Sequence, residues 1–368
     1  MLKLRIMIFV VILILVVLII CLFWQQPSFG RLPAGKRLER IQHSPNFKEG
    51  SFQNFSDTPM LAGTGSMLKV VKEIYFRKHP DIKPRHTLPF VKKSFAVVPE
   101  ISPAITWFGH SSYLLQCNGT NILVDPVFSE RASPVSYIGS KAFDGSNAFG
   151  IDDLPVIDMV LITHDHYDHL DYHVIRKLRN RVPIFIVPLG VGSHLEYWGV
   201  NSGKIKELDW WQELAVSSGI HLVATPARHF SGRSFKRNKT LWTSYVLTAG
   251  NYKLFLGGDS GYDTHFSEIG TKYGPFHLAI LESGQYNKMW PNIHMFPEET
   301  IQAALDLNAN ALLPVHWAKF ALSVHPWYEP AERAVLRAKE VNLPIITPLI
   351  GERIILKTPV TIKHWWNH

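Results

Sequence analysis

The stretch at 163–171, THDHYDHLD, places three histidines and three aspartates in nine residues, directly after the apolar run IDMVLI. Imidazole and carboxylate are the donor set of a borderline divalent metal such as zinc. His164 and His166 stand two apart and can both turn toward one ion; Asp168 and His169 follow and can reach a second. Burying so many polar groups with nothing to pair them costs several kcal/mol, so a purely structural role suits the cluster poorly. One loop cannot complete two coordination shells. Three other apolar runs end in a suitable group: HLVATPARH in His229, YKLFLGGD in Asp259 and NALLPVH in His316. The expected sets are His164, His166 and His229 for one ion, and Asp168, His169 and His316 for the other. Asp259 is expected to bridge, because a carboxylate carries two acceptor oxygens. Any of these residues alone is more often structural; their shared position at strand ends is the argument. Asp165 and Asp171 are expected to orient the ligand imidazoles, with a plain turn cap as the alternative for Asp165.

For such groups to meet, the apolar runs must be strands whose ends share one edge. ITWFGHSSYLLQC and NILVDPVF read as a hairpin joined by NGTN, since Asn-Gly favours a tight turn. VIDMVLIT, VPIFIVP, HLVATP, LWTSYVLTA, KLFLGG, LAILES and ALLPVH read as further strands. Helices are expected at 171–180, 190–199, 263–272, 298–308 and 329–341. The fourth opens FPEE, with the proline and acids that suit a helix start. Strands and helices interleave throughout, which predicts an α/β fold with helices covering the sheets. The domain reading is an anchor at 1–24, a basic lead-in at 25–99 and a catalytic domain at 100–368. Within the lead-in, MLKVVKEIYFRK (67–78) predicts an amphipathic helix, with Leu68, Val71, Ile74 and Tyr75 set against Lys69, Lys72 and Lys78.

Residues 6–24 hold 19 consecutive apolar side chains. A helix of that length spans roughly 28 Å, close to the hydrocarbon thickness of a bilayer. An uncleaved single-pass anchor is expected. A cleaved signal peptide fits less well, because no small-x-small site follows the run. Basic residues flank both ends, so the charge rule leaves the membrane face open. Residues 31–93 carry 13 Lys and Arg against 5 Asp and Glu, which concentrates the net charge of +8 beside the anchor. Such a segment suits an anionic lipid surface; a nucleic-acid backbone is the competing reading. The apolar and aromatic content, 46% and 12%, excludes a disordered chain. The two cysteines, Cys21 and Cys117, form no disulfide framework.

The ordered donor pattern resembles the metallo-β-lactamase fold superfamily. The blocks TWFGHSSYLL, DPVFSERASPVSYIG, HYDHLDY, TPARHFSGR, GGDSGY, YGPFHLAILESGQY, HMFPEE and PVHWAKFALS resemble its N-acyl-phosphatidylethanolamine phospholipase D branch, over roughly residues 42–350. The resemblance implies a four-layered αββα sandwich and two zinc ions, other divalent metals remaining open, on His164, His166, Asp168, His169, His229, Asp259 and His316. It implies catalytic roles for Asp168, Asp259 and His294, and head-group contacts for His294 and Tyr286. His110 matches a block without a role of its own. The activity implied is hydrolysis of a phospholipid head-group phosphodiester to phosphatidic acid and an alcohol. Its partners would be a phospholipid and a membrane, with no nucleic acid; a homodimer is compatible with this. The alternatives are a lactonase or other ester hydrolase, a non-catalytic membrane metalloprotein and, more weakly, a nuclease. The anchor and the segment RSFKRNK fall outside the shared blocks.

Overall fold

Two successive antiparallel pairings return a strand to its original direction, and this brings the polar strand ends to one edge. In the first sheet, Ala104–Trp107 pairs antiparallel with Tyr113–Cys117, which pairs antiparallel with Thr120–Val124. Thr120–Val124 then runs parallel to Met159–Leu161, followed by Ile184–Pro188 and Ile205–Leu208. Arg353–Ile355 completes seven strands on the far side. The second sheet has six strands in the order Glu213–Val216, Ile220–Thr225, Ser244–Ala249, Tyr252–Leu256, Leu278–Glu282 and Leu312–Val315. Its last three are parallel, and Ile220–Thr225 shares their direction after two antiparallel steps. The C-terminal ends of Ala104–Trp107, Thr120–Val124 and Met159–Leu161 therefore share an edge. So do those of Ile220–Thr225, Tyr252–Leu256, Leu278–Glu282 and Leu312–Val315.

The layers follow from side-chain alternation. Tyr113, Leu115, Ile122, Val124, Met159 and Leu161 face the second sheet, in one core with Leu222, Leu247 and Phe255. Their neighbours Leu114, Leu123 and Val160 face outward and pack on Val174, Ile175 and Leu195 of the helices Tyr172–Leu178 and Gly192–Tyr197. Helices Pro297–Asp306 and Glu329–Glu340 join the core of the second sheet through Ile301, Ala304, Ala334 and Val335. The result is a four-layered αββα sandwich. This description rests on a computed structural model and covers all residues except 1, 63–66, 77–78, 93–94, 96–101, 217–218, 358–361 and 368.

One expected strand is corrected. The run 105–117 is two strands, because Gly109 (φ 81°) and His110 (φ 52°) take left-handed backbone and reverse the chain. The Asn-Gly turn behaves as expected, with φ 46° at Asn118 and 69° at Gly119. The lead-in lies against the body. Ile41 and Phe52 are fully buried with Leu241 and Trp242, and Arg37 bridges Glu196 (2.7 Å) and Glu207 (2.8 Å). Helix Met67–Phe76 occupies most of the expected 67–78 segment; Lys78 lies outside the described residues. The N-terminal helix Leu2–Trp24 is long and apolar enough to cross a membrane and buries none of its side chains.

Candidate metal centre

Met159–Leu161 runs into Thr163 and the His-rich turn at the shared edge. There His164 Nε2 lies 2.9 Å from His166 Nδ1, and His229 Nε2 lies 3.3 Å from the same atom. With Asp259, these three form a group of ligand atoms all within 4.8 Å of one another. His110, Asp168, His169 and His316 form a second such group, and Asp259, His294 and His316 a third. Asp259 faces both sides. Its Oδ2 is 3.8 Å from His164 Nε2 and 3.7 Å from His229 Nε2, while its Oδ1 is 3.2 Å from His169 Nε2 and 3.1 Å from His316 Nδ1. All seven expected ligand residues are thus brought together, with the two sets on opposite oxygens of one carboxylate.

The imidazoles are held from behind. His169 Nδ1 meets Asp125 Oδ2 at 2.8 Å, leaving its buried Nε2 without a hydrogen-bond partner. His316 Nδ1 meets Ser111 Oγ at 2.9 Å, and its buried Nε2 is also unpaired. His229 Nδ1 donates to Ile293 O at 2.8 Å. Thr163 Oγ1 donates to Asp125 Oδ2 at 2.6 Å, so it accepts from His164 Nδ1 at 3.1 Å. His110 Nε2 donates to Asp168 Oδ2 at 2.9 Å. Fixing one ring nitrogen frees the other as a donor toward an ion. Buried nitrogens left unpaired at the meeting point of nitrogen and carboxylate donors fit a divalent cation well.

The electrostatics agree. Burial pushes the His110 and His166 imidazoles down to about 4, so both stay neutral and able to donate a lone pair. Burial raises the Asp259 carboxyl to about 6 against the opposing pull of His169. Burial also disfavours charge on His169, but Asp259, Asp168 and Asp125 outweigh it and lift its pKa well above 6.5. A site that concentrates this much unsettled charge is where a cation has most to contribute.

The remaining candidates divide. His294 joins the cluster, its ring 5.1 Å from His229 and 5.3 Å from His316. Tyr286 belongs to none of the ligand groups; its hydroxyl donates to Glu329 at 2.6 Å and its ring stacks on His325. Asp165 and Asp171 orient none of the clustered imidazoles. Asp165 accepts from Gly232 N and Thr240 Oγ1 and pairs with His194. Asp171 caps helix Tyr172–Leu178 and ties down Ser129. Asp125, His110 and Glu282 were not anticipated. Asp125 and Glu282 each close an apolar strand, as Asp259 does, while His110 sits on the left-handed turn after Ala104–Trp107. Asn54, which exchanges two hydrogen bonds with the His229 backbone, gave no signal in the sequence.

Residues 120–317 match the family model described as a beta-lactamase superfamily domain. An uncharacterized protein of Mycobacterium tuberculosis is 39% identical over 89% of this chain and 88% of its own length. The N-acyl-phosphatidylethanolamine-hydrolyzing phospholipase D 1 of Caenorhabditis elegans is 31% identical over 62% of this chain and 67% of its own. A metallo hydrolase from the archaeon Ignicoccus hospitalis has the same fold, with a TM-score of 0.54 at 20% identity over 69% of this chain and 98% of that one. The chain belongs to the beta-lactamase superfamily, in the branch of the phospholipase D homologues, and is a metal-dependent hydrolase by that membership.

Proposed function

We propose that this member of the superfamily is a membrane-anchored phosphodiesterase of the phospholipase D type. It holds two divalent cations, zinc foremost, and cleaves the head-group ester of N-acyl-phosphatidylethanolamine or a related phospholipid. The observation that carries the reading is Asp259, whose two oxygens each face a separate donor set. When bound, such a pair of cations brings the pKa of water toward neutrality and offsets charge developing on phosphoryl oxygens. The C. elegans relative, an N-acyl-phosphatidylethanolamine-hydrolyzing phospholipase D, supports the substrate class, and the helix Leu2–Trp24 supports a bilayer location.

The chain's own groups supply position and protons. His164, His166 and His229 would hold one cation and Asp168, His169 and His316 the other, with Asp259 offering an oxygen toward each set. Asp168, oriented by His110, accepts the proton of the attacking water. Attack at phosphorus breaks the bond to the head-group oxygen, and the proton taken up by Asp168 passes by way of His294 to the departing alkoxide. The Glu282 carboxyl group lies 3.4 Å from His294 Nδ1. The products are phosphatidic acid and an N-acylethanolamine.

The test incubates the metal-loaded full-length chain with N-acyl-phosphatidylethanolamine in ¹⁸O-labelled water. The expected product is phosphatidic acid carrying one ¹⁸O on phosphorus, absent with His164→Ala. Release of label in a fatty acid, or ring opening of lactones with no phosphatidic acid, rejects the phosphodiesterase reading in favour of an ester hydrolase.

A further inference from the structure

The N-terminal helix meets the body without a free linker. Trp198 Nε1 donates to Pro27 O at 2.7 Å, three residues beyond the last helical residue, Trp24. Arg233 donates to Ser28 O through Nε (3.0 Å) and Nη2 (2.9 Å). Arg31 N donates to His194 Nδ1 at 3.0 Å, and Gly30 makes the turn between them at φ 74°. A Cβ at Gly30 would stand 2.1 Å from His194 Nδ1, so the junction admits only glycine. A 23-residue helix spans about 34 Å, enough to cross the hydrocarbon core, and it places Trp24 at the depth where aromatic side chains collect.

At that same level the body presents a short loop outside the shared family blocks. Phe235 is 87% exposed, and its ring lies 4.8 Å from Trp24. Lys236 and Arg237 follow it, both exposed. Between loop and helix end lies a cleft of about 370 Å³ lined by Trp24, Phe29, Leu32, Phe235 and Lys236. In water, a phenylalanine this exposed gains nothing. Beside the end of a membrane helix, its ring enters the acyl boundary while the adjacent cations meet the phosphates of an anionic surface.

We propose that the loop 234–237 is a second membrane contact, in which Phe235 inserts beside Trp24 and Lys236 and Arg237 bind anionic phospholipid head groups. This rests on reading Leu2–Trp24 as a membrane span. The contact is hydrogen-bonded to the metal centre through the residues that precede it. Gly232 N donates to Asp165 Oδ1, and Arg233 Nη1 donates to Asp165 O (2.6 Å) and Leu170 O (2.9 Å), clasping the His-rich turn. Hydrogen bonds thus join the anchor, the loop and the His-rich turn of the centre.

The experiment places a nitroxide on Phe235→Cys in a full-length Cys21→Ser chain; Cys117 is buried and unreactive. A second label on Leu336→Cys, 63% exposed on helix Glu329–Glu340, serves as the aqueous reference. Collision with oxygen and with a water-soluble nickel chelate is read in phosphatidylcholine nanodiscs, with and without phosphatidylglycerol. Position 235 should be shielded from nickel and open to oxygen, more so with phosphatidylglycerol, and that increment should vanish in K236Q/R237Q. A label at 235 as nickel-accessible as at 336 overturns the proposal. An increment that survives K236Q/R237Q overturns the head-group role of the two cations. Vesicle flotation separates the premises: a chain that fails to float removes the span and this contact together. A chain that floats with an aqueous 235 removes the contact alone. Neither readout depends on catalysis.

Discussion

The two halves of the centre are held by different chemistry. His164 and His229 are backed by neutral groups: the Thr163 hydroxyl, the Ile293 carbonyl and, through the His229 backbone, Asn54 of the lead-in. Asp168, His169 and His316 are backed by the Asp125 carboxylate, the His110 imidazole and the Ser111 hydroxyl. A carboxylate behind an imidazole raises its basicity more than a carbonyl does. The first half therefore owes its geometry to chain placement, and the second adds, at His169, the donor strength that a buried carboxylate confers. Asp259 is where the two meet.

Removing that meeting point should have the largest effect. Asp259→Ala is expected to lower kcat/KM by roughly a thousandfold or more, since both cations lose a ligand, and to leave less than one metal per chain by elemental analysis. Equal loss of metal from a Ser267→Ala control would discount the bridging role. Asp125→Asn sharpens the contrast between the halves. It should weaken metal retention about 10–100-fold at the second half. The first half, reached only through the Thr163 relay, should change less. Chelator titration resolved into two steps, with only the weaker step displaced, is the expected outcome; a uniform displacement would erase the distinction.

The buried cations near the two halves differ in the same sense. Arg233 gives hydrogen bonds to three carbonyls, those of Ser28, Asp165 and Leu170. Lys319 is fully buried and donates to one, Val127 O at 2.7 Å. Burial pushes the Lys319 amine down to about 7 from 10.5, with Asp171 opposing. The unfolded chain keeps this proton up to about pH 10.5, whereas the folded chain gives it up near 7. The penalty on the folded state is therefore full below pH 7 and fades as pH rises toward 10.5. Lys319→Met should raise the melting temperature at pH 6 and lose that advantage by pH 10. An advantage independent of pH would mean that packing, not charge, sets it. The smallest effect is expected from Asn54→Ala. Two neutral hydrogen bonds to the His229 backbone are worth about 1 kcal/mol each, which predicts a several-fold loss of metal at the first half with kcat at saturating metal retained.

These contrasts mark what was legible in the sequence. The seven converging groups and the layered fold follow from local features: a dense polar turn, apolar runs and a polar residue closing each run. His110 escaped because the run 105–117 reads as one strand until a left-handed Gly-His pair breaks it. Asp125 and Glu282 obey the same strand-end rule as Asp259 and were within its reach. The edge strand Glu213–Val216, half-exposed and four residues long, carries too little pattern to read. Helix Gly35–Gln42 has two apolar residues in eight and owes its place to contacts 150 and more residues away, such as Arg37 with Glu196 and Glu207. The Tyr286 hydroxyl, expected at the head group, is taken by Glu329, which no local pattern reveals.

The strand-direction arithmetic has a temporal side. Donors enter from residue 164 to residue 316 and from both sheets. A nascent chain that has made only the strands from Ala104–Trp107 to Ile205–Leu208 owns the His-rich turn but lacks His229, Asp259 and His316. Tight ion uptake thus waits until Leu312–Val315 has docked, and a filled centre certifies that the last strand of the second sheet has arrived.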